Sequence, residues 1–109
     1  MKRLSLKTIV AMHSELIAQT GGLDGVSDAN MLDASVNSPF NTFGGQYLYP
    51  TIQAMAAHLA FSLIKNHPFL DGNKRIGILA MLVFLEMNGL PVTCTIDEAD
   101  LIEWIISHC

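Results

Sequence analysis

Cysteine, positive charge and aromatic side chains are all scarce in this chain of 109 residues. Its two cysteines, Cys94 and Cys109, make no disulfide framework, so we expect a domain that folds on its own core in a reducing, cytoplasmic environment. Only six lysines and arginines stand against ten aspartates and glutamates, which gives a net charge of −4. A chain with that balance lacks the basic surface that holds a nucleic-acid backbone, and we expect no DNA or RNA partner.

Long uninterrupted hydrophobic runs are also missing. The longest, from Ile76 to Leu85, falls short of the roughly 18 residues that a membrane-spanning helix needs. Near the N-terminus, Lys7, His13 and Glu15 interrupt the apolar stretch that a signal peptide would require. We therefore expect neither a membrane anchor nor a membrane partner.

What the chain has in quantity is hydrophobic residues, which make up 50% of it, while only 15% are charged. This length and composition are typical of one well-buried globular domain covering residues 1–109. The hydrophobic residues recur with the 3.6-residue period of helices, and no repeat or alternation of strands with helices is visible. The sequence predicts an all-α fold, a small helical bundle.

Capping residues and glycines predict where the first two helices begin and end. Ser5 precedes a helical face that ends at Thr20, before Gly21-Gly22. Ser27 is predicted to cap a short second helix that continues through Asp28. The positions of that helix expected to face inward are Met31, Leu32 and Val36.

Prolines divide the middle of the chain. Pro39 ends the second helix or closely follows its end. Residues 37–49 are predicted to form an aromatic-rich loop without a helical or strand period, and a loop of that length in a small domain is often functional. Pro50 suits the first turn of a third helix that runs to about Asn66.

The most hydrophobic segment is the predicted helix from Ile76 to Asn88. It is apolar on nearly every side, which is typical of a central helix. Gly89 is predicted to close it. Beyond it, Thr95 and Glu98 form a capping-box pattern for a last helix that ends near His108.

Positive charge is concentrated in one place. Lys65, Lys74 and Arg75 fall within eleven residues and flank the turn that opens the central helix. Free N–H groups and the helix dipole attract anions at a helix start, where cations oppose the dipole by about 0.3–1 kcal/mol. This spacing predicts an anion site. The alternative is a solvated charged turn.

The residues around the two adjacent cations each have two interpretations. Asp71 is either a helix cap or an oxygen ligand for Mg²⁺ beside a phosphate. Gly72 is either a turn residue or the point where the backbone closely approaches a phosphate. His67, the one histidine of four in this polar loop, is either structural or a neutral imidazole that accepts a hydroxyl proton. The remaining histidines are interpreted as structural: His13, His58 and His108.

The segment from His67 to Arg75 resembles the motif of a known family. It reads His67-Pro68-Phe69-Leu70-Asp71-Gly72-Asn73-Lys74-Arg75, which is similar to the Fic/Doc pattern histidine-x-phenylalanine-x-acid-glycine-asparagine-x-arginine. The segment from Gly21 to Asp28 and the pair Asn88-Gly89 are also similar to death-on-curing (Doc) members, so the resemblance extends from about Ser5 to Gly89. It implies a small helical domain with the motif loop between two central helices.

Two positions set the chain apart from the adenylyl-transferring Fic members. Those have a second glycine where this chain has Lys74 and a second arginine where it has Ile78. Doc-like members resemble this chain in carrying the lysine, and they are toxins that transfer the γ-phosphate of ATP to a threonine of a bacterial translation elongation GTPase. The resemblance therefore implies an ATP-dependent protein kinase that halts translation. The alternatives are a Fic-type adenylyl transferase and a catalytically silent binding module.

The resemblance also implies a role for each motif residue. His67 is the base for the target hydroxyl, and Asp71 assists Mg²⁺. Gly72 and Asn73 bind ATP by shaping an anion hole. Lys74 and Arg75 bind ATP through its phosphates, and both are catalytic together with His67. Tyr47-Leu48-Tyr49 falls where the family has a flap that docks an extended segment of the target protein.

Control of such a toxin is expected to come from a partner. Fic relatives that restrain themselves carry a Ser/Thr-x-x-x-Glu-Gly/Asn motif, and none of the four glutamates here is followed by glycine or asparagine. The resemblance to Doc implies an antitoxin protein whose tail folds into an amphipathic helix. Such a tail would bind an apolar groove on this domain.

The chain is short near its C-terminal end compared with Doc relatives. Those have a further helical stretch after the segment that follows Asn88-Gly89, whereas here Thr95 is followed almost at once by Ile96 to His108. Either this member has lost a helix, or a piece is omitted near residues 95–97. In the second case the capping box is an artefact of the join.

Overall fold

Short polar side chains set where most of the described helices begin. The computed structural model describes residues 1–90. Within them lie four helices, a hairpin and a short 3₁₀ turn: α1 (Leu6–Thr20), α2 (Ala29–Asn37), the 3₁₀ turn (Ser38–Phe40), β1 (Thr42–Phe43), β2 (Gln46–Tyr47), α3 (Ile52–Asn66) and α4 (Asn73–Met87). Helices make up most of the described residues, which confirms the all-α prediction. The predicted capping box, the last helix, His108 and the question of residues 95–97 lie outside the described residues.

α1 starts and ends as the sequence predicts. Ser5 Oγ accepts a hydrogen bond from the Thr8 N–H at 3.1 Å. At the other end the Gly21 N–H donates to the Ile17 carbonyl at 2.8 Å. Gly21 has a φ of 86°, in the left-handed region that glycine adopts without steric cost. The helix therefore stops abruptly, and the chain turns into residues 21–28, called the clamp loop below.

α2 begins one residue later than the sequence predicts. Its N-cap is Asp28, whose Oδ1 accepts from the Met31 N–H at 2.9 Å, and not Ser27. The buried stripe consists of Leu32, Ser35 and Val36, at the i, i+3 and i+4 positions that share one helix face. Leu32 and Val36 confirm the prediction, but Met31 lies beside this stripe and is 38% exposed.

A short β-hairpin lies within the loop predicted over residues 37–49. Its strands pair antiparallel, with Thr42 opposite Tyr47 and Phe43 opposite Gln46. The turn residues Gly44 and Gly45 have φ values of 61° and 80°. A two-residue turn that matches the twist of its strands needs positive φ at both positions, which two glycines supply. The prediction of no strand was therefore wrong, because the Gly-Gly signal between aromatic residues was not used.

α3 and α4 form the centre of the described fold. The N-cap of α3 is Thr51, whose Oγ1 accepts from the Ala54 N–H at 3.0 Å, so the predicted place of Pro50 in the first turn is wrong by two residues. No α4 residue from Ile76 to Leu85 is exposed, which confirms the prediction of a central helix. Its Phe84 packs edge-on against Phe40 at 5.7 Å between ring centroids. In the described residues no helix has the length and hydropathy to cross a membrane.

Gly77 allows α3 and α4 to approach closely. A Cβ atom at this position would lie 2.8 Å from Ile64 Cγ1 and 3.1 Å from the Ala60 carbonyl oxygen. A larger residue at position 77 would push α3 and α4 apart and open the core. The close packing of the two helices therefore fixes the ends of the loop that joins them, and that loop carries the motif residues.

We expect Gly77→Ala to lower the free energy of unfolding by up to about 2 kcal/mol. Overpacking costs about 1–3 kcal/mol, which exceeds the roughly 1 kcal/mol that alanine gains over glycine in a helix. Urea denaturation of the variant measures the change. In the double variant with Ile64→Ala, the atom that the new Cβ strikes is gone, so the combined loss should be smaller than the sum. Strict additivity would show that Gly77 has no packing role.

Candidate functional site

The motif residues surround one open cleft where α3 passes into α4. The chain leaves α3 at His67, whose φ of 46° is in the left-handed region, and Pro68 and Phe69 are buried behind it. The cleft has a volume of about 420 Å³. Its lining contains all six motif residues singled out from the sequence, together with one leucine: His67, Leu70, Asp71, Gly72, Asn73, Lys74 and Arg75.

The N-terminus of α4 opens into this cleft without a side-chain cap. Its N-cap residue is Gly72, with φ of 73°, so the interpretation of Asp71 as the helix cap is wrong. The N–H groups of Asn73, Lys74 and Arg75 donate no hydrogen bond within residues 1–90. By contrast, α1, α2 and α3 are each capped by a side-chain oxygen. Three free N–H groups and the positive end of the helix dipole suit an anion.

Asn73 holds the loop together through its buried side chain. Its Oδ1 accepts from the Phe69 N–H at 2.9 Å, and its Nδ2 donates to the Phe69 carbonyl at 3.0 Å. These two bonds fix which end of the amide is which. The second hydrogen of Nδ2 is left for His67 Nδ1, at 3.3 Å. In the neutral imidazole this contact places the lone pair on Nδ1 and the hydrogen on Nε2.

Asp71 is fixed by backbone N–H groups on both of its carboxylate oxygens. Oδ1 accepts from Gly72 at 2.8 Å, and Oδ2 accepts from Leu23 at 3.2 Å. These two hydrogen bonds, with a smaller effect of the nearby Arg75 guanidinium, lower the pKa of the Asp71 carboxyl from its ordinary value. The group is therefore ionised at neutral pH.

The Asp71 carboxylate fits Mg²⁺ as a single ligand. Its side chain is partly exposed in the cleft, it is charged, and each oxygen keeps a further lone pair. Within residues 1–90 no group of three or more histidine, cysteine or acidic side chains could hold a metal ion alone. Mg²⁺ typically takes one or two carboxylates, waters and substrate phosphates, and Asp71 beside an anion site matches that arrangement.

The two cations of the motif differ in their surroundings. Arg75 donates from Nη1 to Thr20 Oγ1 and to the Gly21 carbonyl, and its Nη2 lies 3.7 Å from Asp71 Oδ1. It links α4 to the C-terminal end of α1. Lys74, in contrast, makes no ion pair with any residue from 1 to 90. Its ammonium group is therefore available for a ligand in the cleft.

The clamp loop fixes the motif loop through its backbone. The Ser27 and Asp28 N–H groups both donate to the Pro68 carbonyl, at 2.8 and 3.1 Å. The Leu70 N–H donates to the Gly25 carbonyl at 3.0 Å. Gly22 lies against the Asp71 side chain, where a Cβ atom would be 2.5 Å from Oδ2. The clamp loop is thus part of the site's support, although it does not line the cleft.

His13 is a site-supporting residue whose contact the sequence did not reveal. The interpretation as a structural histidine within α1 gave it no connection to the motif. In the structure it is 1% exposed, and its Nε2 lies 2.7 Å from the Asp71 carbonyl oxygen. The helical pattern placed His13 on the buried face, but no local signal indicates a partner 58 positions away.

The predicted docking segment lies on the hairpin and does not line the cleft. Tyr47 and Leu48 are exposed, as is Phe43 on the paired strand at 82%. Tyr49 turns inward and stacks on His58 at 4.2 Å between ring centroids. Burial lowers the pKa of His58, in line with its interpretation as a structural residue. An exposed apolar hairpin is typical of a surface that meets another protein.

We expect Gly22→Ala to displace the Asp71 carboxylate, whereas Gly21→Ala should not. Both glycines have positive φ, at 116° and 86°, so both variants should lose about 1–2 kcal/mol of stability. Only the Cβ at position 22 meets Asp71, since nothing lies within 4 Å of one at position 21. Nuclear magnetic resonance shifts of the Leu23 and Gly72 amides measure the displacement. Equal shifts in the two variants would contradict this description of the clamp loop.

Comparison with known proteins identifies the family. The profile of the Fic/DOC family matches residues 3–85, which is most of the chain. The chain belongs to the Fic/DOC family. A protein named Toxin Doc from Mycolicibacterium smegmatis is 40% identical over 77 residues, which cover 71% of this chain and 59% of that protein. Protein kinase doc from Escherichia phage P1 is 29% identical over 101 residues, which cover 93% of this chain and 79% of its own length.

The matched segments cover different shares of the two relatives. The chain spans about three fifths of the length of Toxin Doc and about four fifths of that of Protein kinase doc. As a Fic/DOC member it has its family motif at the start of α4, where the free N–H groups are. Its Ile78 is buried against Ile64 and Leu82. That position therefore offers no charge to a nucleotide.

Proposed function

We propose that this Fic/DOC protein is a toxin that transfers the γ-phosphate of ATP to a threonine hydroxyl of a bacterial translation elongation factor. The observation that carries the proposal is the uncapped start of α4 with Lys74 beside it and His67 across the same cleft. The names of the relatives, Toxin Doc and Protein kinase doc, support the toxin and kinase parts of it. Modification of this target would halt translation and would place the activity in the cytoplasm.

Phosphate transfer in such a site depends on positioning and charge. The free N–H groups at the start of α4 bind phosphate oxygens, and the Lys74 ammonium neutralises charge that builds up during transfer. Asp71 would hold Mg²⁺, which would supply positive charge beside the phosphate groups. Arg75 contacts both Asp71 and the C-terminal end of α1, which fixes their relative position. Its guanidinium has further N–H donors for a phosphate.

His67 acts as the base that accepts the proton of the target hydroxyl. Its lone pair is on Nδ1, where Asn73 donates at 3.3 Å, a long and weak hydrogen bond. A hydroxyl group that approaches Nδ1 replaces this contact, and Asn73 remains anchored through its two bonds to Phe69. The ring is exposed and lies at the cleft, so a protein hydroxyl can reach it.

The target segment docks on the hairpin. Two strands of two residues leave their outer edges unpaired within the described part of the chain, and an extended peptide can add to such an edge by backbone hydrogen bonds. Tyr47 and Leu48 offer exposed apolar side chains for the same segment. Tyr49, held against His58, anchors the hairpin to α3.

An antitoxin protein would restrain this activity. Along α1 lies a groove of about 820 Å³ whose lining includes Met12, Leu16 and Leu79, with Lys7 and Glu15 at its border. An apolar floor with charges of both signs beside it suits an amphipathic helix. The antitoxin tail would occupy such a groove, and its acidic residues would be attracted to the cationic motif loop.

The test is to pre-treat the elongation factor and then ask whether it still works. Purified factor is incubated with this chain, Mg²⁺ and ATP, recovered, and added to a translation extract depleted of that factor. Treatment with ATP should abolish its ability to restore translation, while treatment without ATP should leave it active. A factor that restores translation equally after both treatments would contradict the proposed function.

A further inference from the structure

His13 lies directly behind the motif loop, and it takes no part in the proposed transfer of phosphate. Its imidazole stacks on Phe69 at 3.8 Å between ring centroids, with the rings 10° from parallel. We propose that His13 is a positioning residue, which locks the Asp71–Gly72 peptide group in the orientation that the anion site requires. The inference rests on the nucleotide site of the proposed function, which it deepens.

Both polar atoms of that peptide group are engaged. The Asp71 carbonyl oxygen can only accept, so His13 Nε2 carries a hydrogen and donates it across 2.7 Å. The Gly72 N–H donates to Asp71 Oδ1 at 2.8 Å. His13 is buried and does not line the cleft, so the carbonyl oxygen that it holds points away from the cleft.

The peptide group needs such a lock because it ends in glycine. Gly72 has a φ of 73° and can adopt several other backbone conformations at little cost. Rotation of the peptide group would remove the Gly72 N–H from the Asp71 carboxylate and turn the carbonyl oxygen toward the start of α4. A carbonyl oxygen there would repel phosphate. His13 opposes this rotation, since the carbonyl would lose its buried hydrogen bond.

The imidazole lies against the clamp loop on its other side. His13 Nδ1 is 3.4 Å from Asp24 Oδ1, and that oxygen accepts a hydrogen bond from Ser14 Oγ at 3.1 Å. The preceding residue, Leu23, donates its N–H to Asp71 Oδ2. The clamp loop therefore supports Asp71 twice, at the carbonyl through His13 and at the carboxylate through Leu23.

Two substitutions separate positioning from packing. His13→Gln keeps an amide donor at about the reach of Nε2, whereas His13→Leu fills a similar volume without a donor. We expect the affinity for a fluorescent ATP analogue with Mg²⁺ to fall about 10- to 100-fold in His13→Leu, the usual loss when an outer partner of a site residue is removed. His13→Gln should retain affinity within a few-fold. If His13→Leu does not fold, His13→Met replaces it.

A second readout does not depend on nucleotide. Hydrogen exchange of the Gly72 amide should be faster in His13→Leu than in the unmodified chain, and unchanged in His13→Gln. If both variants bind the analogue and exchange Gly72 as the unmodified chain does, or if both lose equally, the positioning role is overturned. If the unmodified chain binds no nucleotide, the proposed function fails, and the exchange of Gly72 still decides whether His13 locks the peptide.

Discussion

Replacing His67 with glutamine is expected to abolish growth inhibition and lower the rate of phosphate transfer about 10²- to 10⁴-fold, the usual contribution of a positioned base. Glutamine offers no comparable base. The ring is exposed and packs little, so the helical circular dichroism should not change. Transfer from labelled ATP to the target measures the effect. A variant that stays fully toxic would contradict the role of His67 as base.

His67→Gly is the matched control for a structural role. A non-glycine residue in the left-handed region, here at φ of 46°, costs about 1–2 kcal/mol, so glycine should leave stability equal or raise it. We expect this variant to be at least as resistant to urea as the unmodified chain and yet inactive. Loss of folding in both variants would instead assign His67 a purely structural role.

Replacing Lys74 with glycine is expected to lower the rate of γ-phosphate transfer strongly. The substitution deletes the one motif cation without an ion pair in residues 1–90, and a hydrogen bond to a charged group is worth about 1.5–3 kcal/mol, or roughly 10- to 100-fold in rate. Space beside the anion site would reopen, but attack at the α-phosphate should stay weak. Adenylyl-transferring members resembling this chain have an arginine at the position of Ile78, and the buried Ile78 side chain carries no charge that could replace it.

Lys65 provides a control of equal charge. It lies on α3 with its ammonium 5.3 Å from the centroid of the Phe61 ring, and it does not line the cleft. Lys74→Ala should lower transfer and nucleotide affinity, whereas Lys65→Ala should leave both nearly unchanged. Similar losses in the two variants would mean that net charge matters and that Lys74 makes no specific phosphate contact.

Local patterns were sufficient to predict most of the fold. Ser5 and Gly21 bound α1 because a hydroxyl cap and a glycine in the left-handed region are short-range signals. The apolar character of α4 on all sides indicated its central place. Clustered charge at a helix start indicated most of the motif residues, whereas Asn73 was indicated only by the resemblance to the Fic/Doc motif. The motif residues are contiguous in sequence, and the start of a helix brings them to one cleft.

Contacts between distant segments could not be predicted in this way. His13 and Asp71 meet only because α1 packs on the motif loop, and nothing near either residue indicates the other. The same holds for the Gly22 contact with Asp71. At α2, two residues that are both good helix caps stand side by side, and Asp28 is the one whose side chain accepts from the Met31 N–H. Local sequence did not distinguish between them.

The most direct test of γ-phosphate transfer is to follow which phosphorus atom of ATP reaches the target protein. The chain is incubated with Mg²⁺, a bacterial lysate and ATP labelled at either the γ- or the α-phosphorus, and the labelled protein is identified by mass spectrometry. We expect γ-label to appear on a translation elongation factor and α-label not to appear. Label from the α-phosphorus alone would make the chain an adenylyl transferase, and no label from either would make it a silent binding module. Both results would contradict transfer of the γ-phosphate.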